Sequence, residues 1–123
     1  MEKGKKIEGF EDLIVWQLAI DLAASVYTAF ETCRDFPLRD QVQRAAVSIS
    51  SNIAEGYERD SNADFIRFLY YAKGSCGEVR SQLYLAHRVR ALADQTASGL
   101  IEQARLLSRK LGAYIKIRET KFS

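Results

Sequence analysis

The sequence contains few of the residues that most often carry out enzyme chemistry. Its 123 residues include one histidine, His87, and two cysteines, Cys33 and Cys76. The cysteines are too few for a disulfide framework and lack paired metal-ligand spacing, which fits a reducing compartment such as the cytoplasm. A Ser-His-Asp triad is implausible with one histidine, and no Glu-x-x-His pair is present for a di-iron site. We therefore expect no catalytic residues, no metal site and no cofactor.

Long apolar runs are also absent. No window approaches the ~18 uninterrupted apolar residues of a membrane span. Residues 1–6 are charged but precede an amphipathic run, so they do not form a signal peptide. A chain of this length with 47% hydrophobic residues predicts one domain over residues 1–123, with residues 1–9 as a flexible tail.

The only proline and the glycines divide the chain into four helical segments, with no strand-like alternation between them. The apolar periodicity predicts helices over residues 11–33, 38–56, 62–92 and 95–118. Short connections make neighbouring helices antiparallel, so we predict an all-α fold, an up-and-down antiparallel four-helix bundle.

Each predicted helix has an apolar stripe that identifies its expected core residues. In the first helix they are Trp16, Ala19, Ile20, Ala23, Tyr27 and Phe30. In the second they are Leu38, Val42, Ala45, Ile49 and Ile53. In the third they are Phe65, Phe68, Leu69, Ala72, Cys76, Val79, Leu83 and Ala86. In the fourth they are Leu100, Ala104, Leu107, Leu111 and Ile115.

Three local signals predict helix boundaries. Pro37 suits the first turn of the second helix, because proline has no N–H to leave unpaired there. Gly56 suits a left-handed C-cap at the end of that helix. Ser61 and Asp64 form a variant of the capping box that would begin the third helix.

Several helices have a second apolar stripe that one bundle cannot bury. These outer stripes contain Ile14, Leu18 and Leu22 in the first helix, Ile66, Tyr70 and Tyr84 in the third, and Leu106, Ala113 and Ile117 in the fourth. Exposed patches of this size favour an interface between subunits, so we expect a homo-oligomer. The alternative is that scattered apolar residues are ordinary on a protein surface.

Gly74 and Gly77 lie in the middle of the third predicted helix, where each costs about 1 kcal/mol relative to alanine. Small residues let another backbone approach closely. We therefore predict a tight crossing at these glycines, against Ala45, Ala46 and Ser50 of the second helix. A backbone held near a ligand is the weaker alternative.

Charge is distributed unevenly along the chain. Residues 1–60 have seven basic and eleven acidic residues, whereas residues 61–123 have eleven basic and five acidic residues. Basic stripes on the third and fourth helices contain Lys73, Arg80, Arg88, Arg105, Arg109 and Lys116. Because basic side chains neutralise phosphates and exposed tyrosines stack on bases, these residues with Tyr70 and Tyr84 are candidates for binding RNA or DNA. The alternative is a solvated charged face with interface tyrosines.

Other candidate sites fail on their residue patterns. His87 has no second ligand nearby, so we expect a partly buried polar residue. Cys76 lies on the apolar stripe and should be an inert buried thiol. The segment from Asp60 to Asp64 resembles the start of a calcium loop, but Phe65 replaces the required glycine and Tyr71 the closing glutamate.

Three segments together resemble the family of 23S rRNA intervening-sequence proteins. They are Phe10–Leu13 with Trp16 and Ala19, then Arg44–Gly56 (RAAVSISSNIAEG), then Phe65, Phe68, Leu69, Ala72, Gly74, Ser75 and Glu78. The resemblance implies a four-helix bundle and no enzyme activity. The fold is similar to that of the accessory protein of diversity-generating retroelements, which forms a pentameric barrel and binds nucleic acid and a reverse transcriptase. A homopentamer with a raised expectation of nucleic-acid binding follows from this resemblance.

The central segment also carries a polar column, Arg44, Ser48, Ser51 and Glu55, on a different face from its apolar stripe. Within the segment we assign Arg44, Ser48, Asn52 and Glu55 an architectural role, joining helices or subunits, because buried polar groups must find partners. Two functions remain open at this point. One is an oligomer that binds nucleic acid through the third and fourth helices, and the other is an oligomeric scaffold for a protein partner.

Overall fold

The computed structural model describes residues 6–121, which form four α-helices joined by short connections. A short 3₁₀-helix (Phe10–Asp12) precedes α1 (Ile14–Ala29), α2 (Phe36–Tyr57), α3 (Asn62–Arg88) and α4 (Asp94–Lys121). Within this part of the chain α1 and α3 each pack against α2 and α4, the diagonally opposite helices do not approach closely at the backbone, and there is no strand. The predicted all-α four-helix bundle is confirmed.

The first helix is shorter than the predicted 11–33, because turns form at both of its ends. The backbone N–H groups of Glu8 and Gly9 donate to the Asp12 carboxylate at 2.9 and 3.3 Å. Leu13 is extended, which separates the 3₁₀-helix from α1. At the other end Phe30 is fully buried in the turn that follows α1. Residues 1–5 of the predicted flexible tail lie outside the described residues.

The core face of α1 differs from the prediction. Its buried residues are Val15, Ala19, Leu22, Ala23 and Val26, followed by Phe30. Ile20 and Tyr27 are exposed instead, and Trp16 is half-buried against the ring of Phe10. Leu22 is fully buried inside one chain, so its placement on an outer stripe and at a subunit interface is wrong. The reason is that α1 is apolar on several sides, and periodicity alone does not choose among them.

The second helix confirms its predicted stripe and corrects its end. Leu38, Val42 and Ile49 are buried, together with Ala45 and Ile53. Asp35 caps the helix by accepting from the N–H of Leu38, and Pro37 lies in the first turn as expected.

Gly56 is not a left-handed cap, because it lies inside α2. A Cβ placed at Gly56 would lie only 2.5 Å from Cβ of Phe68 and 3.1 Å from the Phe65 ring. The absence of a side chain therefore lets α2 and α3 approach each other at this point.

The predicted core stripes of α3 and α4 are confirmed. All eight residues expected on α3 are buried, and α4 buries its five with Ala97 and Ile101 in addition. Ser61 caps α3 by accepting from the N–H of Asp64 at 3.1 Å, as its capping pattern predicts. None of the helices over residues 6–121 has an apolar stretch long enough to cross a bilayer.

The connection between α3 and α4 is made by a residue other than glycine. Arg90 has a φ of 65°, a left-handed conformation that usually favours glycine. Its N–H donates to the carbonyl of His87, and the N–H of Ala91 donates to that of Ala86 at 2.8 Å. These two bonds form a Schellman motif, which ends α3 at Arg88 rather than at residue 92.

Gly74 and Gly77 do not form the predicted tight crossing. A Cβ at either position would meet nothing within 4 Å, so both glycines border open space. The pair of helices was predicted correctly, since α2 and α3 share the most extensive contact in the bundle. The contact uses Ser75, whose hydroxyl lies 3.0 Å from that of Ser48.

Candidate nucleic-acid interface

A groove between α3 and α4 is lined by basic residues from both helices. Lys73 and Arg80 are seven residues apart on α3, so they share one face of that helix. Arg105, Arg109 and Lys116 follow a similar helical spacing on α4. Together they surround an open groove of about 490 Å³. The fold therefore brings together five of the six basic residues predicted from the sequence.

Four of the five cations have no carboxylate partner in the part of the chain that the structure describes. Only Arg105 has one, since its guanidinium lies 3.6 Å from Glu102. The hydrogen bond from Arg105 to the Tyr84 hydroxyl, 2.9 Å long, is the main reason that the pKa of Arg105 is raised. The groove thus concentrates positive charge that residues 6–121 leave largely uncompensated, which suits a polyanion.

Arg88 is the predicted basic residue that does not line this groove. It is the last residue of α3, exposed at the end of the bundle where the chain turns into α4. Its neighbour His87 is exposed rather than partly buried, and its Nε2 lies 2.7 Å from a carboxylate oxygen of Asp94. The two residues belong to the α3–α4 turn and not to the groove.

Small neutral residues of α4 also line the groove, and the pattern of basic stripes does not identify them. They are Ser108, Gly112 and Ala113. A Cβ at Gly112 would lie 3.5 Å from Cε of Lys73, so the lysine stem packs over the α4 backbone there. The signal was present in the sequence, because these three residues interleave with Arg109 and Lys116 at helical spacing.

Two tyrosines of α3 that are not among the lining residues flank Lys73 and Arg80 along that helix, and each is hydrogen-bonded to α4. Tyr84, one turn beyond Arg80, accepts the hydrogen bond from Arg105. Tyr70, almost one turn before Lys73, donates to the Glu119 carboxylate at 3.1 Å, and this bond raises the pKa of the Tyr70 hydroxyl. Both rings are about half exposed.

Cys76 lies beneath the groove on the core face of α3. Burial raises the pKa of its thiol to about 11, although the positive charges of Arg80 and Lys73 act in the opposite direction. The thiol donates to the Ala104 carbonyl at 3.2 Å. A protonated, buried thiol is a poor nucleophile, in line with the inert role expected from the sequence.

The half-buried polar residues of α2 form a contact with α3. Asn52 donates to both the carbonyl and the hydroxyl of Ser48, which in turn meets Ser75 on α3. Arg44 and Glu55 are exposed, and Glu55 pairs at 3.0 Å with Arg59, which lies just beyond the end of the helix.

Within residues 6–121 no group of three or more histidine, cysteine, aspartate or glutamate side chains could hold a metal ion. Asp64 pairs with Arg67 at 3.0 Å, which leaves its carboxylate in a local ion pair at the start of α3.

These observations define the protein as a four-helix bundle with a basic groove between its last two helices. The model of the 23S rRNA-intervening sequence protein family matches residues 11–113, and the chain belongs to that family. No curated protein matches the sequence.

The fold is similar to that of a solved structure, a protein of unknown function from the S23 ribosomal protein family of Bacteroides thetaiotaomicron. The similarity has a TM-score of 0.80 at 22% identity, and it covers 84% of this chain and 99% of the other. At this identity the similarity concerns the fold alone. Neither comparison names an enzymatic activity.

Proposed function

We propose that this protein is a nonenzymatic, homo-oligomeric protein that binds nucleic acid through the groove between α3 and α4. One observation carries the proposal. Five basic side chains from two helices surround a single open groove, and only Arg105 among them has a carboxylate within 4.0 Å in residues 6–121. The sugar-phosphate backbone of RNA or DNA would supply the missing negative charge.

The grouping of these charges is costly for an isolated chain. Like charges on facing helices repel one another, and an ordinary solvated face would intersperse acidic residues to offset the repulsion. Acidic residues are available elsewhere in the fold, as at Glu55 and Asp64, where they form local pairs with arginines. A polyanionic ligand would turn this repulsion into attraction.

Oligomerisation is the second part of the proposal, and a ring of five is the assembly implied by the resemblance noted in the sequence. Ile14 on α1 and Ile117 on α4 are 56% and 45% exposed and line a second, more apolar groove of about 710 Å³. Leu106 is also exposed on α4. Burial of these residues between copies would repeat the basic groove around the ring and increase the avidity for a long polyanion.

The binding test is fluorescence anisotropy with a labelled oligonucleotide across a salt series. If the groove contacts four or five phosphates, log K should fall against log salt with a slope of about −3 to −5. Arg109→Gln should weaken binding several-fold and make the slope shallower by about one. Absence of binding at low salt, or binding that salt does not change, would contradict the proposal.

The chain offers a closely matched control for this test. Arg34, in the connection between α1 and α2, is exposed and lines neither groove. Arg34→Gln is the same substitution with the same change in net charge, and it should leave both the affinity and its salt slope close to those of the native protein.

Oligomerisation is tested by sedimentation velocity at micromolar concentration. Ile14→Asp should dissociate the assembly, because it places a charge in the apolar groove. A native protein that sediments as a monomer would remove this part of the proposal and leave the binding test unaffected.

The apolar groove also favours the alternative function, an oligomeric scaffold for a protein partner. Ile7, Ile14 and Ile117 present apolar surface there, and Tyr114 lies behind them. The two functions differ in the binding test, since a scaffold that acts only through this groove would not bind oligonucleotides at low salt.

A further inference from the structure

We propose that the basic groove takes a single-stranded nucleic acid, whose bases stack on Tyr84 and Tyr70 while its phosphates lie along Lys73, Arg80 and the α4 cations. This inference rests on the proposed function and names the class of ligand. Such binding requires an aromatic ring at each end of a row of cations. Tyr70 and Tyr84 flank Lys73 and Arg80 along α3 in this way.

The spacing of the tyrosines matches a short strand. Tyr70 and Tyr84 are fourteen residues apart on α3, which corresponds to about 21 Å at 1.5 Å per residue. At about 3.4 Å per nucleotide this length accommodates roughly six stacked nucleotides, and fewer if the strand is extended. Lys73 and Arg80 lie between the rings, where the phosphates of such a strand would pass.

The rings are exposed enough to stack and are also held in place. Tyr70 is 51% exposed and Tyr84 is 46% exposed. Each hydroxyl is hydrogen-bonded across the groove, Tyr84 to Arg105 and Tyr70 to Glu119, at 2.9 and 3.1 Å. A tethered ring loses less conformational entropy when a base stacks on it, so part of the cost of binding is already met in the free protein.

The two ends of the groove differ in charge. Tyr84 lies beside the guanidinium of Arg105, which attracts a phosphate. Tyr70 lies beside the carboxylate of Glu119, which repels one. We therefore expect the Tyr84 end to contribute more to affinity than the Tyr70 end.

A duplex fits this arrangement less well than a single strand. In a duplex the bases are paired and stacked on one another, so a tyrosine can reach a base face only after the stack is opened. A single strand presents those faces directly, and stacking on aromatic rings tolerates any base.

The experiment measures anisotropy with three labelled probes of about twelve nucleotides, within the usual range of single-strand site sizes. The probes are a single-stranded oligonucleotide, its duplex, and an abasic strand with the same number of phosphates. The single strand should bind the native protein most tightly, and the abasic strand about tenfold or more weakly, since each stacked base contributes that order of affinity.

The variants separate the ring from its hydroxyl. Tyr84→Leu should weaken single-strand binding by about tenfold or more. Tyr70→Leu should have a smaller effect. Tyr84→Phe should weaken binding by less than Tyr84→Leu does, because it keeps the stacking ring and loses only the hydroxyl tether to Arg105. Neither leucine variant should alter binding of the abasic strand. The control is Tyr27→Leu on α1, a tyrosine of similar exposure that lies away from the groove and should have no effect.

Each contrary result identifies a different failure. Equal binding of all three probes, with no effect of the leucine variants, would overturn this inference and leave nucleic-acid binding in place. No binding of any probe at low salt would overturn both. If the leucine variants sediment as smaller species without losing affinity, the tyrosines belong to a subunit interface and the inference is wrong. Circular dichroism of each variant verifies that it remains folded.

Discussion

Helix α3 packs closely against α2 on one side and forms an open groove with α4 on the other. At the first, Gly56 and the Ser48–Ser75 pair fit the two helices together, and every expected core residue is buried. At the second, cations from the two helices line an open groove, and elsewhere on α3 Gly74 and Gly77 border open space. The difference indicates that one face of α3 is closely packed against a neighbouring helix, while the other carries cations beside open space.

The contrast between the two sides of α3 predicts that the largest change in stability follows substitution of Gly56. Gly56→Ala should lower the free energy of unfolding by about 1–3 kcal/mol, because the added methyl group would collide with Phe68 and force the helices apart. Chemical denaturation monitored by circular dichroism measures this change. A variant as stable as the native protein would mean that the α2–α3 contact is looser than described.

The buried thiol of Cys76, on the core face of α3, should make the stability of the protein depend on pH. Its pKa rises from 9.0 to about 11 on folding, so the unfolded chain loses the proton first and stability falls as pH increases from about 9 to 11. At about 1.4 kcal/mol per unit the loss is on the order of 2 kcal/mol.

The Cys76→Ala variant should be less stable than the native protein at neutral pH. Its stability should not show the additional fall between about pH 9 and 11 that the thiol causes. The measurement is the difference between the two stability curves over pH 9 to 11, because tyrosine titration is common to both proteins. Parallel curves would show that the thiol does not contribute.

On the other side of α3, replacing glycine by alanine should stabilise the protein. Gly74→Ala should raise the free energy of unfolding by about 1 kcal/mol, because alanine is the better helix former and nothing obstructs its methyl group. The same denaturation experiment as for Gly56→Ala gives the result. Destabilisation would reveal that another chain or segment packs closely against this glycine.

The smallest expected effect concerns the charge of the groove. Lys73→Gln should raise stability at low salt by a few tenths of a kcal/mol, because it relieves repulsion from the neighbouring cations, and added salt should remove the difference. Thermal melts at low and high ionic strength would detect it. If the variant melts at the same temperature or lower in both, the cations of the groove do not destabilise the free protein.

Periodicity predicted the helices and the core residues well where one apolar stripe runs along a helix without a break. The eight buried residues of α3 follow directly from their spacing, which continues from Phe65 to Ala86, whereas the outer residues Tyr70 and Tyr84 are exposed. In α1 the prediction was right for Ala19, Ala23 and Phe30 and wrong for Ile20 and Tyr27. Ile14, Leu18, Ile20 and Leu22 surround the helix, and only packing against α2 and α4 selects Leu22 for the core.

The candidate site was predictable as two separate stripes but not as one groove. Helical spacing placed Lys73 and Arg80 on one face of α3, and Arg105, Arg109 and Lys116 along α4. Whether these faces meet depends on the rotation of each helix about its own axis, which the packing of the core decides. That rotation also left Arg88 outside the groove.

The sequence by itself therefore determined the number of helices, their order and the buried faces of three of them, because these depend on local spacing and on the cost of exposing apolar side chains. Tertiary structure decided which face of α1 is buried, why Gly56 has no side chain, and that the cations of α3 and α4 line one groove. Each of these depends on distances between residues far apart in the chain, which exist only after the helices have packed.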